Sequence, residues 1–162
     1  MTCFPRDPWW FSPPPLWRLA RIVQTETKML TTEMTDGELM ERFEDGSIPA
    51  DCFHHLEHVR VAFLYLCRFP IPEALQRFTN ALKRFAAAQG KADRYHETIS
   101  WAYMLLVQER MTRPQEWDRF AAENPDLLNW KVSILKSYYR EETLKSEKAR
   151  RVFVLPDKQF ES

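Results

Sequence analysis

Apolar residues recur at intervals of three and four along almost the whole chain after residue 35. That spacing places them on one face of an α-helix, whereas a half-buried β-strand needs a strict apolar–polar alternation, which is nearly absent. Only three of the 162 residues are glycine, and 44% are apolar, enough for one sizeable core. The sequence therefore predicts an all-α fold, a single-domain helical bundle of about five to seven helices.

Capping residues and prolines predict the helix boundaries. Thr35 and Glu38 have the spacing of a capping box and predict the start of the first helix, which ends before the loop at residues 44–49. Later helices are expected over about 53–69, 72–90, 93–111, 114–120, 125–139 and 141–151. The strand-like run at residues 152–156 is expected to form an extended C-terminal strap across the bundle.

The first 34 residues have a different composition from the rest of the chain. Trp9 and Trp10 precede a run of three prolines at residues 13–15. Such a terminus offers little apolar periodicity for a helix. We therefore predict a poorly ordered, proline- and tryptophan-rich extension over residues 1–34, followed by the helical domain over 35–157.

Charge and cysteine content limit the partners and the compartment. The chain has 23 basic and 23 acidic residues, so no net field favours nucleic acid or an anionic membrane. It also lacks the run of about 18 apolar residues that a membrane span requires. Three cysteines without CxxC spacing argue against a disulfide scaffold. We expect a cytoplasmic protein that binds neither nucleic acid nor membrane.

The four histidines are the strongest functional signal. Three lie within residues 53–58, and the fourth is His96. Helical spacing places His55 and His58 beside the buried side of the second helix and His96 at the core edge of the fourth. If the two helices pack together, these three could ligate one divalent ion and leave a fourth position open. We expect their ring nitrogens to lie about 3 to 5 Å apart, and His54 to point elsewhere.

The identity of the ion is left open, because imidazole binds zinc, iron and copper alike. His54 and His58, four residues apart, are the competing pair. Each histidine could also be structural, since a histidine near a helix N-terminus often bonds the local backbone.

Residues beside the histidines are the catalytic candidates. Tyr95 adjoins His96 and could take part in proton transfer. Glu97 falls on the far side of its helix and is placed as a capping or supporting group. Arg60, near the first histidine segment, and Arg94, near the second, could clamp a carboxylate or phosphate.

Two motifs in this chain resemble those of a family of small bacterial helical proteins without an established activity. The pattern FxHxxHxR spans residues 53–60, and YHET spans residues 95–98. The likeness extends over about residues 35–157. It implies that His55, His58 and His96 belong to the site while His54 does not, and it implies nothing about a substrate.

Three hypotheses follow from these observations. The first is a small metal-dependent enzyme with a three-histidine site and a small-molecule substrate that the sequence does not identify. The second is a non-catalytic module for ligand binding or protein interaction with structural histidines. The third is a metal-free enzyme that uses His55 or His96 as acid or base beside Tyr95. The oligomeric state is left open by all three.

Overall fold

The computed structural model describes residues 34–49, 51–113 and 115–158. This part of the chain contains eight α-helices, one 3₁₀ turn and no strand, which confirms the all-α class. The helices are α1 (Asp36–Asp45), α2 (His55–Arg68), α3 (Ile71–Ala88), α4 (Glu97–Arg110), α5 (Trp117–Glu123), α6 (Leu135–Tyr138), α7 (Glu141–Lys145) and α8 (Glu147–Arg151), with the 3₁₀ turn at Ala92–Arg94 between α3 and α4. None of these helices is long and apolar enough to cross a membrane.

The predicted N-terminal extension lies outside the described residues except for its last member. Met34 is only 9% exposed and belongs to the core of the helical domain.

Helix α1 has the predicted capping box at its start. The Thr35 hydroxyl accepts the backbone N–H of Glu38 at 3.3 Å, and the Glu38 carboxylate accepts that of Thr35 at 2.9 Å. Gly46 ends the helix in the left-handed region at φ 77°, which glycine adopts without steric cost. The helix buries Leu39 and Phe43 in the core.

Helix α2 lies at the centre of the fold, where it packs against α1, α3 and α4. Almost every residue from Val59 to Leu66 is buried, since three helices cover it. Aromatic rings fill the space between α1, α2 and α3. The ring centroids of Phe53, Tyr65 and Phe78 all lie within 6.4 Å of that of Phe43. This cluster holds the start of α2 against α1 and α3.

The C-terminal strap is confirmed. Residues 152–158 have no regular secondary structure and cross the start of α4. The Thr98 hydroxyl donates to the Val152 carbonyl at 2.8 Å and accepts the Val154 N–H at 3.1 Å. The Phe153 ring stacks on Trp101 with centroids 5.3 Å apart.

The helix predicted to begin at Pro125 is wrong. Residues 124–134 form turns, and helical structure resumes only with the short α6. The Asn129 side chain accepts the backbone N–H groups of Lys131 and Val132 at 3.1 and 3.2 Å, a local pairing that competes with helix formation. Val132, which would share a helix face with the buried Leu135 three residues later, is 70% exposed.

Candidate functional site

A cavity of about 910 Å³ lies between helices α2, α3 and α4, and Arg94 of the 3₁₀ turn and Trp130 also line it. All four histidines line it, so the two histidine segments do meet in the fold. The remaining walls are mainly apolar, and α2 and α3 supply most of them. These apolar wall residues include Val59, Ala62, Phe78, Leu82, Phe85 and Ala86.

His55 begins α2 and is fixed through one ring nitrogen. Its Nε2 lies 2.8 Å from the Leu127 carbonyl oxygen, and because a carbonyl only accepts, Nε2 carries the proton. The Nδ1 atom therefore keeps its lone pair. The ring lies edge-on to Tyr103, with centroids 4.8 Å apart, and burial lowers the pKa of His55. His55 is thus a neutral, oriented imidazole at neutral pH.

His58 is one turn further along α2 and faces the cavity without a hydrogen bond among the described residues. Its ring packs 4.2 Å from the ring of Phe53. Burial lowers the pKa of His58 to about 3, with a smaller contribution from the positive charge that His55 and His54 can carry. The cavity therefore contains a second imidazole that stays neutral in ordinary buffers and can accept a hydrogen bond.

His96 is the N-cap of α4 and uses both ring nitrogens for the backbone. Its Nδ1 accepts the Ile99 N–H at 3.3 Å, and its Nε2 donates to the Leu144 carbonyl at 2.8 Å. The residue is 8% exposed, and burial lowers its pKa. His96 therefore starts α4 and links it to α7, and it also lines the cavity.

The predicted metal ligands share a cavity without forming a coordination sphere. The described residues contain no group of three histidine, cysteine, aspartate or glutamate side chains that could hold a metal ion. The three-histidine centre of His55, His58 and His96 therefore stays a prediction. The expectation that His54 points elsewhere also stays a prediction, although His54 is among the residues that line the cavity. As the residue just before α2, it lies one turn from His58 on the same side.

Like Arg94, Tyr95 is a catalytic candidate that lines the cavity. Its hydroxyl is buried, with no partner in hydrogen-bonding geometry among the described residues. Burial, followed by the charge of Glu97, raises the pKa of Tyr95 and keeps the phenol neutral. Glu97 does not line the cavity. Its carboxylate accepts the indole N–H of Trp101 at 2.8 Å and pairs with Lys83 at 3.0 Å, which agrees with a supporting role.

Arg60 also lies outside the cavity lining. Its guanidinium pairs with Asp36 at 2.6 Å and donates to the Met34 carbonyl at 3.1 Å. It therefore joins α2 to the beginning of α1, and the structure does not support its predicted role as a clamp within the site.

Several cavity residues were missed as site residues in the sequence. Tyr103 lies in line with His96 on the predicted fourth helix, so its position could have been found by helical spacing. Gln89 and Lys91 lie in the connection that follows α3. No periodic pattern marks such positions.

Comparison with known protein families, curated proteins and solved structures gives no match. The chemistry of the site is therefore read from its geometry. Apolar walls, neutral imidazoles and neutral phenols suit a small organic molecule with a few polar groups, held away from water.

Proposed function

We propose that this protein binds a small, mainly apolar organic molecule in the cavity between α2, α3 and α4. The observation that carries the proposal is a cavity of about 910 Å³ with mostly apolar walls and several convergent polar groups. Ligand sites in proteins have volumes of roughly 300 to 1,000 Å³ and the same combination of surfaces.

The polar groups in the cavity favour a ligand with a neutral hydrogen-bond donor in its buried part. Burial keeps His55 and His58 uncharged, so their free ring nitrogens accept hydrogen bonds. The neutral Tyr95 phenol supplies a donor. A hydroxyl or amine on the ligand fits this set, whereas a buried cation would lack a counter-charge beside these imidazoles.

A cavity-filling substitution tests the proposal. N-Phenyl-1-naphthylamine, a neutral probe whose fluorescence rises in apolar surroundings, should bind the parent protein saturably at one site. Ala86→Phe, which places a ring in the cavity, should weaken binding at least about tenfold, a loss of about 1.4 kcal/mol. Ala87→Phe is the matched control, since Ala87 is exposed on α3 and does not line the cavity. Equal affinity in both variants would refute binding at this site.

A metal-dependent enzyme is the second candidate function, and the orientation of two histidines supports it. His55 and His96 each donate Nε2–H to a backbone carbonyl. Metal-ligating histidines commonly make this outer hydrogen bond, which leaves the other nitrogen for the ion. A divalent ion, zinc, iron or copper, would polarise water or a substrate. For His96 to bind the ion through Nδ1, the hydrogen bond that Nδ1 accepts from the Ile99 N–H would first have to break.

Metal content separates the two candidates. A metal enzyme should purify with near-stoichiometric ion, and His58→Ala should lose most of it while remaining helical. Chelator should lower the melting temperature of the parent protein in that case. A parent protein that is ion-free and indifferent to chelator and to added zinc, iron or copper would refute the metal hypothesis and leave the ligand-binding proposal intact.

We also propose that the protein works in the cytoplasm. Of the described residues, Cys52 and Cys67 are free thiols, the first buried and the second exposed. An exposed free thiol fits a reducing compartment.

A further inference from the structure

We infer that the ligand carries an anionic group, a carboxylate or a phosphate, that Lys91 and Arg94 bind at the rim of the cavity. This inference rests on the proposed ligand-binding function and deepens it. The ligand would then be an amphiphile, with an apolar body between α2 and α3 and a charged end at the 3₁₀ turn.

The charge around the cavity supports an anion. Lys91 and Arg94 both line the cavity and both are exposed. Within the described ranges neither forms an ion pair, in contrast to Arg60, Lys83 and Arg110, each of which pairs with a carboxylate. Asp51 is the one carboxylate among the lining residues of the described chain, so the basic groups outnumber it.

The backbone that carries the two basic side chains is held in place. After α3, Gly90 adopts φ 66°, and the Lys91 N–H donates to the Ala86 carbonyl at 2.8 Å. Within the turn, the Arg94 N–H donates to the Lys91 carbonyl at 2.9 Å. The Arg150 guanidinium donates to the Asp93 carbonyl at 2.6 Å from outside. A fixed backbone lowers the conformational entropy that is lost when a ligand binds.

The dipole of α3 explains the position of only one of the two basic residues. Lys91 follows the C-terminus of α3, where a cation is favoured even without a ligand. Arg94 lies beyond that end and still lines the cavity, so the dipole gives no reason for its position. An arginine at the edge of an apolar cavity is the usual partner of a carboxylate or phosphate.

Two probes that differ only by a sulfonate test the inference. 8-Anilino-1-naphthalenesulfonate has the aromatic body of N-phenyl-1-naphthylamine and one negative charge. The double variant Lys91→Gln/Arg94→Gln should weaken binding of the sulfonate about fivefold to twentyfold and change that of the neutral probe less than about twofold. Arg42→Gln/Lys148→Gln removes the same charge at exposed positions away from the cavity and is the control.

Circular dichroism should first show that the variants fold as the parent protein does. Equal effects on both probes, or a sulfonate affinity unchanged in the Lys91→Gln/Arg94→Gln variant, would overturn the anion inference and leave the cavity proposal standing. No saturable binding of the neutral probe would overturn both. Displacement of the neutral probe by decanoate and by decyl phosphate then shows which head group the rim prefers.

Discussion

His58 and His96 line the same cavity, but their ring nitrogens have different surroundings. His96 has both nitrogens bonded to the backbone, whereas His58 has no hydrogen bond among the described residues. Replacing His96 should therefore cost stability, because its partners would remain buried and unpaired. Replacing His58 removes a titratable group from an apolar site.

The stability of the protein should fall as the pH falls below about 6.5, with His58 as a main cause. Its folded-state pKa of about 3 is below the unfolded value, so the unfolded chain binds the extra proton. Between pH 7 and pH 5 this difference removes about 1 to 2 kcal/mol from the free energy of unfolding. Urea titrations at the two pH values should show a correspondingly smaller difference for His58→Leu.

Val59→Ala is the control for that measurement. It removes buried apolar volume beside His58 and should lower stability at both pH values by a similar amount. If His58→Leu lost as much stability between pH 7 and pH 5 as the parent protein, His58 would not be the titrating group.

At the level of elements, the strap depends on one side chain of α4. Thr98→Val keeps the shape of the residue but removes the hydroxyl that bonds Val152 and Val154. We expect a loss of about 1 to 3 kcal/mol and faster hydrogen exchange at the Val154 amide, because two strap groups lose their partner. Val152→Ala, which changes an exposed side chain and keeps both bonds, should leave the exchange rate unchanged. Unchanged protection in Thr98→Val would mean that the strap is held by other contacts.

Local signals explain which elements could be predicted. The capping box of α1 and the two prolines at the start of α3 act within one turn, so the sequence contains all that sets these boundaries. The turns at residues 124–134 follow instead from the Asn129 side chain and from the bond between Leu127 and His55. The second of these joins residues that are 72 positions apart, beyond any local pattern.

In the site, too, local spacing could be read from the sequence, whereas contacts between distant residues could not. Helical spacing placed His55, His58 and His96 at inward-facing positions, and all three line one cavity. It could not show that the His96 nitrogens bond Ile99 and Leu144, because ring orientation depends on tertiary neighbours.

At the level of the whole molecule, removal of residues 1–28 should leave the helical domain folded. The described core forms within residues 34–158, and a proline-rich terminus adds little to helices that lie later in the chain. A chain that starts at Met29 should keep its circular dichroism signal and melt within about 4 °C of the full chain, equivalent to about 1 kcal/mol. Insoluble protein would instead show that Trp9, Trp10 and Trp17 pack on the domain.

The carbonyls that fix His55 and His96 have a consequence for biosynthesis. The ribosome makes the chain from its N-terminus. The carbonyl that bonds His55 belongs to Leu127, 72 residues later, and the carbonyl that bonds His96 belongs to Leu144, 48 residues later. At roughly 5 to 20 residues per second, the second interval alone lasts about 2 to 10 seconds. Helices α2, α3 and α4 are therefore synthesised before the carbonyl that orients His96, and the binding site is complete only after Leu144 has left the ribosome.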